Sequence, residues 1–414
     1  MGMKRGARAA AVTVVTLVAL VLVALTLPIG FRVAGKVVNA IRGDLPTAQP
    51  VPVQTAELGG AGPGSLVSAM TMPALQRTIT GRQLQAARVV YRSTNGDTGA
   101  QTTVSGSVFT PLGEPPKGGW PILSFGHGTT GIDEGCAPSV SDSLLGLADL
   151  VVGFVKTGHA VALADYEGLG ESGIHPYTDA KTAGLNMIDA VRALRHTFAN
   201  TSTRWLALGG SQGGGAAWAA DEQASTYAPE LDLVGAVADS PAAEVTRVVD
   251  KAQAGILTDD QRPAFLAIVE SLARRHPEVN RDDFRRGAAA TNWDVIVSCA
   301  GDTAHSRADA LKQVTAADVR PASQASADQL RKLLSAWAVP QRPLSAPLSV
   351  VYGGADTLID PAWTTDAIAK ACALGGNVEW DLQPAKGHGD VDVTNQLAWI
   401  ADRFEGKPAV NECR

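Results

Sequence analysis

The sequence predicts an α/β protein, a mostly parallel sheet flanked by helices and interrupted late by an inserted helical cap. Three observations carry that expectation. Short apolar runs alternate with helical patterns over most of the chain. A serine between glycines stands directly between one such run and the next helical pattern. About a hundred residues in the second half then show helical stripes and no convincing strand. The composition permits such a body: 414 residues, 45% hydrophobic and 18% charged, are far from the polar, highly charged make-up of disordered chains. A net charge of −6, from 35 basic and 41 acidic residues, leaves no electrostatic footprint for nucleic acid.

The chain opens with Lys4, Arg5 and Arg8 ahead of an apolar stretch from Ala9 to Leu27, ended by Pro28. Residues 1–30 therefore read as a signal peptide or a transmembrane anchor. Positive charge before the span places the remaining chain outside the cytoplasm, with the membrane as partner should residues 9–27 be retained. Four cysteines, an even count, suit an oxidising compartment. Residues 31–80, rich in Pro, Gly, Ala and Thr without sustained periodicity, read as a tether.

Residues 81–240 read as the first part of the core. Strands are expected at Ala87–Tyr91, Thr102–Thr110, Pro121–Phe125, Ala160–Ala164, Arg204–Leu208 and Leu233–Ala238. The turn Asn95-Gly96-Asp97 makes the first pair antiparallel. After the fourth strand, Gly184, Met187, Ile188, Val191, Leu194 and Phe198 recur at helical spacing. Residues 241–346 form the cap, with stripes at Phe265, Ile268, Val269 and Leu272 and at Leu330, Leu333, Leu334 and Trp337. Residues 347–414 return to the core with strands Leu348–Tyr352 and Val378–Leu382.

Gly209-Gly210-Ser211-Gln212-Gly213 follows the strand Arg204–Leu208. A serine on a tight strand-to-helix turn needs small residues two places before and after it, so that strand and helix can approach. Such a turn exposes the hydroxyl at a helix N-terminus, where free N–H groups favour an oxyanion. A hydroxyl is a weak nucleophile unless a base activates it and an acid orients the base. Of seven histidines, only His388 lies beyond the last strand, in Lys386-Gly387-His388-Gly389-Asp390. Asp356, first after the strand Leu348–Tyr352, is the expected acid. Asp360 before Pro361 suits a helix N-cap instead. Gln212 supplies one oxyanion N–H. Phe125-Gly126-His127-Gly128-Thr129-Thr130-Gly131 supplies the second, from Thr129 or, as the alternative, Thr130. His127 precedes the nucleophile and is expected to shape its loop by hydrogen bonding. Asp165 to Gly173 reads as a structural turn bordering the site. The histidines and cysteines lack metal-ligand spacing, and neither metal nor organic cofactor is called for.

With these residues in place the sequence resembles the α/β-hydrolase superfamily, and within it the secretory lipase family typified by fungal lipase A. The narrower likeness rests on Gly126 to Gly131 running into Cys136-Ala137-Pro138-Ser139. It rests also on Asp165-Tyr166-Glu167-Gly168-Leu169-Gly170, on Gly209 to Gly214, and on the closing Asp356 and His388. The resemblance implies the α/β-hydrolase fold and a lipase or carboxylesterase acting on lipid or other esters through a Ser211–Asp356–His388 triad. It also implies bridges Cys136–Cys299 and Cys372–Cys413. An acyltransferase or peptidase would share the triad, and a non-catalytic, membrane-tethered binding protein would share the fold.

Overall fold

The computed structural model describes residues 48–78, 81–299 and 304–413. The apolar run at 9–27, and with it the expected signal or anchor, lies outside the described residues. Among the described residues no helix is long and apolar enough to cross a membrane.

Among the described residues from Pro50 onward, one nine-stranded sheet has the order β1-β2-β3-β5-β4-β6-β7-β8-β9. Its strands are β1 Leu66–Thr71, β2 Leu84–Thr94, β3 Gln101–Pro111, β4 Trp120–Gly126, β5 Ala160–Ala164, β6 Thr201–Gly210, β7 Asp232–Asp239, β8 Leu348–Gly353 and β9 Val378–Gln383. β1, β2, β3 and β5 pair antiparallel, and from β5 onward every pairing is parallel. Parallel strands need covered faces, and the burial follows: all five residues of β5 are buried, as are all six of β8.

One face carries α2 Ala180–Thr197, α3 Gln212–Tyr227 and α8 Pro361–Ala373, packed through Met187, Ile188, Val191, Trp218 and Ile368. Asp179 caps α2, its carboxylate accepting the Thr182 N–H at 3.0 Å. The other face carries α1 Ala148–Lys156 and α9 Thr394–Phe404, with Val152, Phe154, Trp399 and Ile400 in its core.

The expected tether differs from what is found. Leu66–Thr71 is an edge strand in register with β2, and Val53 N–H donates to the Ala69 carbonyl at 3.0 Å. Only two of its six residues are buried, as befits an edge strand, and this short segment LVSAMT is broken by Ser68 within a stretch rich in Pro and Gly.

Between β7 and β8 the described residues are helical. The insertion holds α4 Val248–Ala254, α5 Gln261–Arg275, α6 Ala304–Leu311 and α7 Gln324–Trp337, with single-turn helices between α5 and α6. Both stripes expected there pack in one apolar cluster, all buried but the partly covered Leu333, and the cluster also takes in Ile132, Tyr177, Ile359 and Trp363 from the core. The insertion is stitched to the loops above the sheet. Ser271 Oγ on α5 accepts the Tyr177 N–H at 2.8 Å and donates to the His175 carbonyl at 2.6 Å, and Arg274 reaches Asp133 at 2.6 Å. Cys136 is bonded to Cys299 across the same boundary, and Cys372 to Cys413 within the core.

Candidate active site

β6 ends at Gly210 and α3 begins at Gln212, leaving Ser211 alone in the turn with φ 58° and ψ −120°. A non-glycine residue at positive φ is strained by about 1–3 kcal/mol, and the surroundings hold it there. Ser211 N–H donates to the Asp239 carbonyl at 2.8 Å, and the Ser211 carbonyl accepts from Gly214 and Ala242 at 3.0 and 2.9 Å. A Cβ on Gly209 would overlap the Gly213 carbonyl. Glycine at that position is what lets the strand and helix close on each other.

His388 lies in the loop between β9 and α9 and meets Ser211 and Asp356 together. Its Nε2 is 2.9 Å from Ser211 Oγ and its Nδ1 is 2.8 Å from Asp356 Oδ2. These partners require the tautomer in which Nδ1–H donates to the carboxylate while Nε2 accepts from the serine hydroxyl. The other Asp356 oxygen accepts backbone N–H groups of Leu358 and Ile359 at 2.8 and 2.9 Å. The carboxylate side chain is 2% exposed, so both oxygens are spent in fixed directions.

Asp360 takes the N-cap position before Pro361, but its carboxylate makes no cap bond. It pairs instead with Lys251 Nζ of α4, at 2.9 and 3.2 Å. An ammonium brought by the insertion outcompetes the helix's own N–H groups, a contact that sequence spacing does not show.

Gln212, first residue of α3, has an N–H with no helical acceptor behind it. Its side chain is buried, with Nε2 3.0 Å from His175 Nε2. His175 Nδ1 in turn faces the Glu167 carbonyl at 2.8 Å. Burial pushes the His175 imidazole down to about 4, so it stays neutral and accepts from the Gln212 amide. His175 was not anticipated from sequence. It stands 37 positions from Gln212, and no local pattern joins the two.

The loop Gly126–Gly131 passes beside the serine: a Cβ on Gly128 would lie 3.9 Å from Ser211 Cβ. Thr129 follows at once, its hydroxyl 2.9 Å from Tyr177 OH, while Thr130 Oγ1 is buried with no hydrogen-bond partner. His127 is buried below, its ring nitrogens facing the carbonyls of Gly128 at 2.7 Å and Asp165 at 3.3 Å. Desolvation lowers its basicity. Asp165 is buried as well and accepts from Ser105 Oγ at 2.6 Å and from the Ser139 N–H at 2.9 Å. Both residues thus hold loops together. Among the described residues one cluster has metal-type donors, Asp133 with Cys136 and Cys299, and its two sulfurs are spent in their mutual bond.

A hydroxyl, an imidazole and a carboxylate thus lie hydrogen-bonded in line at a strand-to-helix turn of a mostly parallel sheet. The profile of the secretory lipase family matches residues 146–412, and the chain belongs to that family, among the carboxylic ester hydrolases. A probable inactive lipase of Mycobacterium tuberculosis is 26% identical over 404 residues, covering 89% of this chain and 84% of that protein. A probable trichothecene esterase of Stachybotrys chartarum is 23% identical, covering 89% of this chain and 77% of its own. Among solved structures, Candida antarctica lipase A in its closed state superposes with a TM-score of 0.65 at 18% identity, over 89% of this chain and 88% of that one. The rice cell wall degrading esterase LipA of Xanthomonas oryzae gives 0.62 at 19%, over 80% and 92%. Both share the α/β-hydrolase fold with this chain.

Proposed function

We propose that this protein hydrolyses carboxylic esters of lipid type through an acyl-enzyme on Ser211, with His388 as base and Asp356 as orienting acid. The observation that carries the reading is the continuous pair of contacts about His388, 2.9 Å to Ser211 Oγ and 2.8 Å to Asp356. As Ser211 Oγ bonds to the ester carbonyl carbon, its proton passes to His388 Nε2. Asp356 keeps the ring oriented and stabilises the imidazolium. The carbonyl oxygen, now anionic, sits against the N–H groups of Gln212 and Thr129. His388 then gives its proton to the leaving alkoxide. Water, deprotonated by the same imidazole, releases the acid and restores the serine. Every step uses side chains and backbone of this chain and no cofactor.

The insertion is the proposed cap. Its apolar cluster reaches Tyr177 and Ile132, neighbours of the loop beside Ser211, which supports a dry acyl-binding surface there. Basic residues before the run at 9–27, two disulfides and a secretory family support action outside the cytoplasm, with that run as signal or anchor. Hydrolysis of p-nitrophenyl esters of graded chain length by wild type and Ser211→Ala tests the reading. Turnover that rises beyond acetyl and vanishes in the variant supports it. Equal turnover in the variant refutes it.

A second reading, a hydrolase fold that binds without turnover, is favoured by the description of the mycobacterial relative as inactive. Its signature is ester binding by wild type with no hydrolysis at any chain length.

A further inference from the structure

A second carboxylate stands at the site with no part in the scheme above. Asp239 is the last residue of β7, in register with Gly210 of β6 on one side and Val351 of β8 on the other. It therefore lies between the strand that presents the nucleophile and the strand that presents Asp356. Its carbonyl accepts the Ser211 N–H at 2.8 Å. A Cβ on Gly210 would stand 3.5 Å from Asp239 Oδ2, so the carboxylate leans over the end of the nucleophile's own strand. The next residue, Ser240, is held at φ 41° by its N–H bond to the Val351 carbonyl at 2.8 Å, and its hydroxyl donates to Asp239 Oδ1 at 3.0 Å.

Asp239 is half-buried, and one neutral hydroxyl is its hydrogen-bonding compensation for the water its carboxylate loses. The sheet order sets β7 between the strands that lead to Ser211 and Asp356, the two residues His388 bridges, and the Asp239 carboxylate is in electrostatic reach of His388 and Asp356. Burial raises its proton affinity most, the Ser240 hydrogen bond and then the imidazole lower it, Asp356 raises it again, and the balance is upward. From other elements, the groups around His388 are Asp356 beyond β8 and Asp239 at the end of β7. The Lys251–Asp360 pair lies further along the Asp356 loop. On its own loop are Lys386 and Asp390, the latter accepting the Gly387 N–H at 2.5 Å.

We propose that Asp239 is a second, positioning carboxylate, one that stabilises the imidazolium of His388 through space while Asp356 fixes its tautomer through the Nδ1–H bond. The proposal rests on the Ser211–His388–Asp356 reading. Proton bookkeeping is unchanged: the serine proton goes to Nε2, the new bond forms from Oγ to the carbonyl carbon, and the displaced electron pair goes to oxygen. Asp239 takes no proton and touches no reacting atom. It supplies a second negative charge facing the positive one that this step creates.

The test is the pH profile of kcat/KM for a p-nitrophenyl ester with wild type, Asp239→Asn, Asp356→Asn, the double variant and Ser211→Ala. Asparagine keeps the acceptor for Ser240 and removes only the charge. Removing this negative charge beside the site should move the acid limb of the profile down by about half to one pH unit. A fall in kcat of about 3- to 10-fold at unchanged KM should accompany it. The double variant should lose more relative to Asp356→Asn than Asp239→Asn loses relative to wild type, because Asp239 is then the remaining counter-charge. Asp239→Ser, which also deletes the charge, should reproduce the limb shift, and it serves if the asparagine variant folds poorly. An acid limb superimposed on that of wild type in both variants overturns the proposal and leaves Asp239 as a strand-end brace. Activity retained by Ser211→Ala would overturn the underlying triad reading as well, a different result from a silent Asp239.

Discussion

Gly213 and Gly126 touch backbone to backbone: a Cβ on Gly213 would overlap the Gly126 carbonyl oxygen. This contact joins the first turn of α3 to the end of β4, and so joins the helix that follows Ser211 to the loop carrying Thr129. The two oxyanion N–H groups proposed above are held at a fixed separation by the absence of one methyl group.

Gly213→Ala should therefore fail in both structure and activity. The obstructing atom is main chain and cannot rotate away, so about 3 kcal/mol or more of destabilisation is expected. Thermal denaturation with an activity assay on the folded fraction checks this. A variant of wild-type Tm and turnover would show that the turn is not closed as described.

Asp356 and Asp360 should respond very differently to loss of charge. Asp356→Asn disturbs the tautomer of His388 and should cut kcat by up to ~10⁴-fold. Asp360→Asn loses a half-buried pairing with Lys251 and should cost less than about 1 kcal/mol of stability, with near-normal kcat. Steady-state kinetics on the two variants decides the matter, and the reverse order would transfer the acid role to Asp360.

Stability should carry a signature of two acids on α3. Asp221 accepts the N–H groups of Ser345 and Ala346 at 2.8 Å each, and Glu222 accepts that of Gln341 at 3.1 Å, tying the end of the insertion to the helix that follows Ser211. Burial, above all, raises Asp221 to about 8 and Glu222 to about 7. A carboxyl raised on folding holds a proton that the unfolded chain has released. Its stabilising effect is whole below the unfolded value, near 4, and is lost as pH rises through 7 and 8. Asp221→Asn imitates the protonated acid, so the Tm of the variant should gain on that of wild type between about pH 5 and pH 8.5. A difference that stays constant with pH contradicts the assignment.

The α7 stripe should behave as packing, not as an acyl channel. Leu330 and Leu334 are 0% and 2% exposed inside the insertion's own cluster, with Leu333 partly covered. Leu334→Asp buries an unpaired charge and should cost about 3 kcal/mol or more. Leu333→Asp should cost less. Paired thermal melts test the ordering, and equal Tm values would place Leu334 outside the packed cluster.

Much of this arrangement was legible in the sequence because its signals are local. Each inner strand is a short apolar run bounded by turn residues. Ser211 sits between glycines whose purpose is steric, and Asp356 and His388 each follow a strand end. β1 was not legible, since its six residues, LVSAMT, are interrupted by Ser68 and sit in a stretch rich in Pro and Gly, where the edge pairing with β2 rather than local pattern makes the strand. Nor was the Lys251–Asp360 pair, whose members are 109 positions apart. Asp239 reads in sequence as a polar residue closing a strand. Only the sheet order, which puts β7 between β6 and β8, sets it between the strands that lead to Ser211 and Asp356. The cysteine pairing came from family resemblance, because four cysteines alone allow three connectivities.

The central claim, that Ser211 is a nucleophile activated by His388, is tested most directly by fluorophosphonate labelling followed by peptide mass spectrometry. The account predicts one adduct, on Ser211 of the wild type. It should be absent from Ser211→Ala and strongly slowed in His388→Ala. Labelling that persists in Ser211→Ala, or a wild type that reacts at another residue, would contradict it.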